Sequence, residues 1–93
     1  GGVHINSGIN NKAAYLITQG GTNNGFTITG VGVNNAQKIY YQAMKYLTAD
    51  SNFKEMRAAV IQASRDFFPD KNGVPSAQTK AVIDAYSSVG VYE

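Results

Sequence analysis

Phe53, Met56, Val60, Ala63 and Phe67 recur at spacings of 3, 4, 3 and 4. That is the period of one face of an α-helix, and it is incompatible with the strict alternation of a half-buried strand. The same period appears in Ala36, Ile39, Tyr40, Ala43 and Leu47, and again in Ala77, Ala81, Ala85, Tyr86 and Val89. Together they predict helices over 34–47, 52–68 and 76–88. Asn34 or Asn35, Ser51 and Ser76 are the expected N-caps, because a short polar side chain can accept from the free amides of a first turn. Pro69 excludes Phe68 from helical geometry, and Asp70-Lys71-Asn72-Gly73 is turn chemistry. An earlier stripe, Ile9, Ala13, Leu16 and Ile17, predicts a further helix capped by Asn6 or Ser7 and stopped at Gly20-Gly21. Ala14 and Tyr15 widen that stripe, so this helix is expected to lie buried against something larger than the chain itself. Phe26-Thr27-Ile28-Thr29 alternates, but with no partner strand in view it reads as loop. The fold expected is all-α, an irregular bundle of about four to five helices forming one domain over 1–93.

Ninety-three residues allow one modest core but leave little chain for an elaborate catalytic cleft. Eight Lys and Arg against six Asp and Glu, scattered without a basic run, argue against a nucleic-acid partner. No apolar run approaches the ~20 residues of a membrane span, which argues against a membrane partner. No signal peptide is evident, so any export signal is expected to have been removed ahead of residue 1. The absence of cysteine excludes disulfides, thiolate catalysis and cysteine-based zinc sites. Eight of the ten glycines fall in 1–32, whereas 13 of the 14 charged residues lie at Lys38 or beyond. The first third therefore reads as tightly packed loop around one helix, and the remainder as solvated amphipathic helices.

Few residues carry a chemical pattern. Gly30-Val31-Gly32 falls short of a phosphate-binding G-x-G-x-x-G and reads as a tight turn. Asp66, Asp70 and Asn72 lack the spacing of a cation loop and read as solvated turn. Tyr40, Tyr41 and Tyr46 have no basic stripe beside them to suggest base stacking. Glu55 and Asp84 sit on polar helix faces with nothing to pair them for acid–base work. His4 is the only histidine and the only side chain that titrates near neutrality unaided. It precedes the first helix among glycines that permit close backbone approach, where a hydrogen-bond donor can be held in front of a substrate.

The run Gly1-Gly2-Val3-His4-Ile5-Asn6-Ser7-Gly8-Ile9, followed by Asn11-Lys12-Ala13-Ala14-Tyr15-Leu16-Ile17 and Gln19-Gly20-Gly21-Thr22, resembles the thermolysin-like neutral zinc metalloendopeptidases. The likeness continues through Lys38-Ile39-Tyr40-Tyr41, Tyr46-Leu47-Thr48, Ser51-Asn52-Phe53 and Arg57-Ala58-Ala59, and closes with Ala85-Tyr86-Ser87-Ser88-Val89-Gly90-Val91. It implies the C-terminal α-helical domain of a secreted, extracellular enzyme, forming one wall of the active-site cleft. In such enzymes an N-terminal domain carries H-E-x-x-H and holds the zinc, with calcium plausible there. No H-E-x-x-H and no other zinc-ligand set occurs in this sequence, so no metal ligand and no cofactor-binding residue is assigned to it. The implied partners are that N-terminal catalytic domain and a peptide or protein substrate, with bulky apolar residues favoured after the cut. The family's catalytic histidine maps onto His4, which the resemblance makes either the hydrogen-bond donor to the tetrahedral intermediate or a general base. The family Asp that orients this histidine would lie upstream of position 1. Asn23 and Asn24 stand where relatives often carry His-Tyr, and no catalytic role passes to them.

A non-catalytic helical interaction module, from a degenerate or proteolytically released domain, is the alternative. In either case the 93 residues alone are expected to hydrolyse no peptide, to fold marginally and to self-associate through residues 9–17.

Overall fold

Asn52 accepts the Glu55 amide at 2.8 Å while the Glu55 carboxylate accepts the Asn52 amide at 2.9 Å. This reciprocal capping box satisfies two amides that a helix start would otherwise leave open. The computed structural model describes residues 8–92, and in it this box opens a helix over Phe53–Phe67. The expected cap, Ser51, instead uses its hydroxyl to accept the Thr48 amide at 2.9 Å. Asn52 takes its place because a carboxylate stands three residues further on.

In chain order the elements are α1 (Gly8–Gln19), β1 (Gly21–Asn23), β2 (Phe26–Ile28), α2 (Val33–Ala43), α3 (Phe53–Phe67) and α4 (Ala77–Ser88). α2 packs on α3, α3 on α4, and α1 on both α4 and α2. Four helices agree with the all-α bundle read from the periodicity. Buried residues of all four helices form one contiguous core with Ile28 and Val91, which is how a chain this short keeps a single hydrophobic centre.

The stretch expected as loop is a two-stranded antiparallel hairpin, in which Gly21, Thr22 and Asn23 pair with Ile28, Thr27 and Phe26. Its two-residue turn is Asn24-Gly25, with φ of 49° and 85°. Both central residues of a type I′ turn need positive φ, and Asn-Gly is the dipeptide that tolerates it best. The partner strand went unseen because Gly21-Thr22-Asn23 carries no apolar alternation.

α2 starts one residue earlier than expected. Its N-cap is Gly32, at φ 88°, with no side-chain cap, while Asn35 Nδ2 bonds back to the Val31 carbonyl at 3.2 Å. The helix also tightens after Ala43 into a 3₁₀ turn over Met44–Tyr46 rather than running to residue 47. Ser76 caps α4 as expected, accepting the Thr79 amide at 3.1 Å. The turn before it closes through paired Lys71–Val74 backbone bonds, with Asn72 and Gly73 at positive φ.

In α3 and α4, two residues placed on inward faces lie outside. Phe67, in the last turn of α3, and Ala77, at the start of α4, are exposed, because each sits where its helix has run past its packing partners. The buried positions of α4 include Thr79 and Ser88 as well as Ala81, Val82, Ala85 and Tyr86. Polar residues are tolerated there because they are bonded: Thr79 Oγ1 lies 2.9 Å from Ser64 Oγ, and the Ser88 hydroxyl donates to the Ala85 carbonyl at 2.7 Å.

Candidate functional site

α1 is fixed along its inner face and open along its outer one. Asn10, Ala13, Leu16 and Ile17 are buried, whereas Asn11, Lys12 and Tyr15 are exposed. The register differs from the stripe read in the sequence, since Ile9 is 38% exposed and Asn10 takes the inward position. The helix is therefore amphipathic, not apolar on most sides, and only Ile9 and Tyr15 are large apolar groups on its outer surface.

The far end of α1 is held by backbone alone. Val31 and Gly32 donate to the carbonyls of Ile17 and Thr18 at 2.8 and 3.1 Å, using acceptors that a helix C-terminus leaves free. This approach demands glycine. A Cβ on Gly30 would lie 2.6 Å from the Gln19 carbonyl carbon and 2.7 Å from the Thr18 oxygen. Gly20 faces the same crossing at φ 80°, with Gly30 N only 2.7 Å from where its Cβ would stand. Gly30-Val31-Gly32 is thus a crossing strap that leads into α2, bonded to the end of α1 rather than folded into the tight turn expected there.

The hairpin tip is pinned in turn to α4. Asn23 Nδ2 donates to the Ser88 carbonyl at 3.0 Å, and Asn24 Nδ2 donates to the same oxygen at 2.6 Å. These two asparagines terminate α4 by satisfying its last carbonyl.

The tyrosines divide by environment. Tyr40 and Tyr86 bring their hydroxyls within 3.0 Å of each other in the core. Burial pushes Tyr86 up to about 12. Burial first, and then its neighbour Tyr86, hold Tyr40 well above the usual tyrosine value. Neither phenol ionises near neutrality, so the pair serves as a buried hydrogen bond. Tyr46 donates a short hydrogen bond to Asp66 Oδ2, which Gln42 Nε2 also reaches at 3.0 Å, while Gln62 Nε2 reaches Oδ1 at 3.0 Å. The hydrogen bond from Tyr46, followed by those from the two glutamines, lowers the Asp66 pKa. This exposed clamp ties the 3₁₀ turn to α3.

The remaining acidic candidates are engaged separately. Asp70 accepts from Arg65 at 3.3 Å, Asp84 pairs with Lys80, and Glu55 serves the capping box. Among the described residues no three His, Cys, Asp or Glu side chains gather as a metal set, and no helix is long and apolar enough to cross a membrane. His4 lies outside the described residues, as do Asn6 and Ser7. α1 begins at Gly8, four residues beyond His4 in the chain.

The thermolysin metallopeptidase alpha-helical domain matches this chain over residues 1–91. The chain is 48% identical to a bacillolysin of Bacillus caldolyticus over 93 residues, covering 99% of itself and 16% of that relative. It is 51% identical to a bacillolysin of Brevibacillus brevis over 92 residues, covering 98% of itself and 17% of that relative. Against neutral protease B of Bacillus subtilis it is 44% identical, covering 98% of itself and 16% of the relative. The chain thus spans about a sixth of the length of these proteins. With the helical bundle and an end-to-end match in agreement, this chain belongs to the family of thermolysin metallopeptidase alpha-helical domains.

Proposed function

We propose that the chain is the helical domain of a secreted, zinc-dependent neutral endopeptidase, in which it forms one wall of the substrate cleft. The observation that carries this reading is the family match over 1–91, which includes the run from Gly1 to Ile9 around His4. The described residues do not fit a zinc site, since no ligand set gathers among them. Zinc, and calcium where used, therefore belong to a separate N-terminal domain of the same protein. Metal in such an enzyme supplies an activated water for attack on the peptide carbonyl.

This chain contributes His4 and the platform behind it. His4 donates a hydrogen bond to the carbonyl oxygen as negative charge develops there, a group worth about 10²–10³ in kcat when preorganised. α1, locked by Ala13, Leu16 and Ile17 in the core, supplies the rigid element next in the chain. Its outer face, with Ile9 and Tyr15, suits contact with the partner domain. The substrate is a peptide or protein, and the 93 residues by themselves are inactive.

The test is His4→Ala in the whole protease. We expect kcat to fall by about 10²–10³, or about 3–4 kcal/mol, with unchanged zinc content. Full activity in that variant would remove the assignment, and loss of zinc would make His4 a ligand instead.

A further inference from the structure

Between the outer face of α2 and the end of α3 lies an open groove of about 740 Å³. Its floor is apolar. Tyr41 is 75% exposed and Met44 54%, and Phe67 closes the far side. Two ammonium groups, Lys38 and Lys45, stand with the amides of Asn34, Gln37 and Gln42 in the rest of the lining, which contains no carboxylate. Lys38 stands over the Phe67 ring, 5.2 Å from its centroid, and neither lysine makes an ion pair among the described residues. The nearest acid on the adjoining edge, Asp66, is occupied by Tyr46, Gln42 and Gln62.

We propose that this groove docks an acidic polypeptide segment that places an apolar side chain between two carboxylates. Lys38 and Lys45 share one face of α2 and its 3₁₀ extension, so about 11 Å separates them along the axis. On an extended segment alternate side chains share a face, so two carboxylates four residues apart span about 13 Å and flank one apolar side chain midway between them on that face. The flexible stems of Lys38 and Lys45 cover the small difference in spacing, and the midway side chain is set over Tyr41 and Met44. Unpaired cations flanking exposed aromatic and thioether groups give electrostatic selection around an apolar anchor.

Two other occupants fit less well. A second copy docked through a two-fold axis would bring the same lysines face to face, because an isologous contact presents one patch to itself. An anionic bilayer calls for about 4–8 clustered basic residues, and a concave groove with two lysines offers neither the charge nor the shape. The inference does not depend on the protease reading. It uses a different surface and holds or fails separately.

The experiment is a fluorescence-polarisation titration of the whole protein with a labelled Glu-Ser-Leu-Ser-Glu peptide in a Gly/Ser frame. A zinc-chelating hydroxamate occupies any catalytic cleft throughout. We expect saturable binding that weakens with salt. The double variant Lys38→Glu/Lys45→Glu should weaken it at least tenfold and shift preference to Lys-Ser-Leu-Ser-Lys. Tyr41→Ala, a change at an exposed position, should weaken binding several-fold and provides an independent check on the apolar anchor. Equal binding of a Gln-Ser-Leu-Ser-Gln peptide, or no response to either variant, would overturn the proposal. So would phosphatidylglycerol vesicles capturing the protein through the two lysines while the peptide does not bind, or self-association that Tyr41→Ala abolishes.

Discussion

Substituting the Tyr40–Tyr86 pair should produce unequal single effects and strong non-additivity. Tyr86 is fully buried on α4, and its hydroxyl meets that of half-buried Tyr40 on α2 at 3.0 Å. Tyr40→Phe strands a phenol that has no access to water, so the cost should approach the upper part of the ~1–3 kcal/mol range for an orphaned buried polar group. Tyr86→Phe strands the Tyr40 phenol, which is less enclosed than Tyr86 although burial still raises its pKa, and should cost somewhat less, about 1 kcal/mol. Replacing both removes donor and acceptor together and should cost less than the sum of the singles, with a coupling of about 1–2 kcal/mol. Urea unfolding followed by circular dichroism measures all four corners of the cycle. Alkaline pH offers a second readout. A phenol held at about 12 when folded, against 10.0 when free, stays protonated in the fold while the unfolded chain ionises. Its contribution, about 3 kcal/mol, is complete below pH 10 and is lost as the pH rises towards 12. Additive single effects, or stability flat across that window in the wild type, would refute the buried-pair account.

Three further outcomes are expected. Gly30→Ala forces a Cβ to within 2.7 Å of the α1 backbone, and should destabilise by about 3 kcal/mol or abolish folding, read from the thermal midpoint. Asn52→Ala removes the capping box of α3 and should cost about 1 kcal/mol in the same assay; no change would show that the box is not formed in solution. Asp66, whose pKa is lowered by hydrogen bonds from Tyr46, Gln42 and Gln62, should titrate by carboxyl-carbon NMR below the usual aspartate value. The clamp's contribution is then present above the unfolded-state pKa and lost as pH falls through the folded one, and Tyr46→Phe should move the midpoint back up.

Each helix was legible because its apolar period is local information. Val60 and Ala63, or Ala81 and Ala85, must share a face whatever surrounds them, since 3.6 residues per turn sets the geometry. Ser76 and Pro69 punctuate the chain by equally local chemistry. The run from Gly1 to Ile9 likewise pointed to a family without reference to any contact. The hairpin was not legible, because Asn24-Gly25 announces a turn but the strand Gly21–Asn23 has no alternating apolar face to reveal it. The caps of α2 and α3 shifted for a similar reason, Asn52 being chosen over Ser51 by Glu55, and Gly32 standing in place of Asn34 or Asn35 beside the backbone crossing at Gly30.

What the sequence determined by itself was therefore the number and approximate place of the helices and most of their inward positions, though not those of Ile9, Phe67 and Ala77. Tertiary structure alone decided which neighbours those faces meet. It closed Gly20 against Gly30, latched Asn23 and Asn24 onto the end of α4, joined Tyr40 to Tyr86 across 46 residues, and left Phe67 outside beneath Lys38. The physical reason is range. Periodicity and capping act within a turn or two of helix, whereas close approach, burial and hydrogen bonding between distant segments depend on how whole elements fill a shared space.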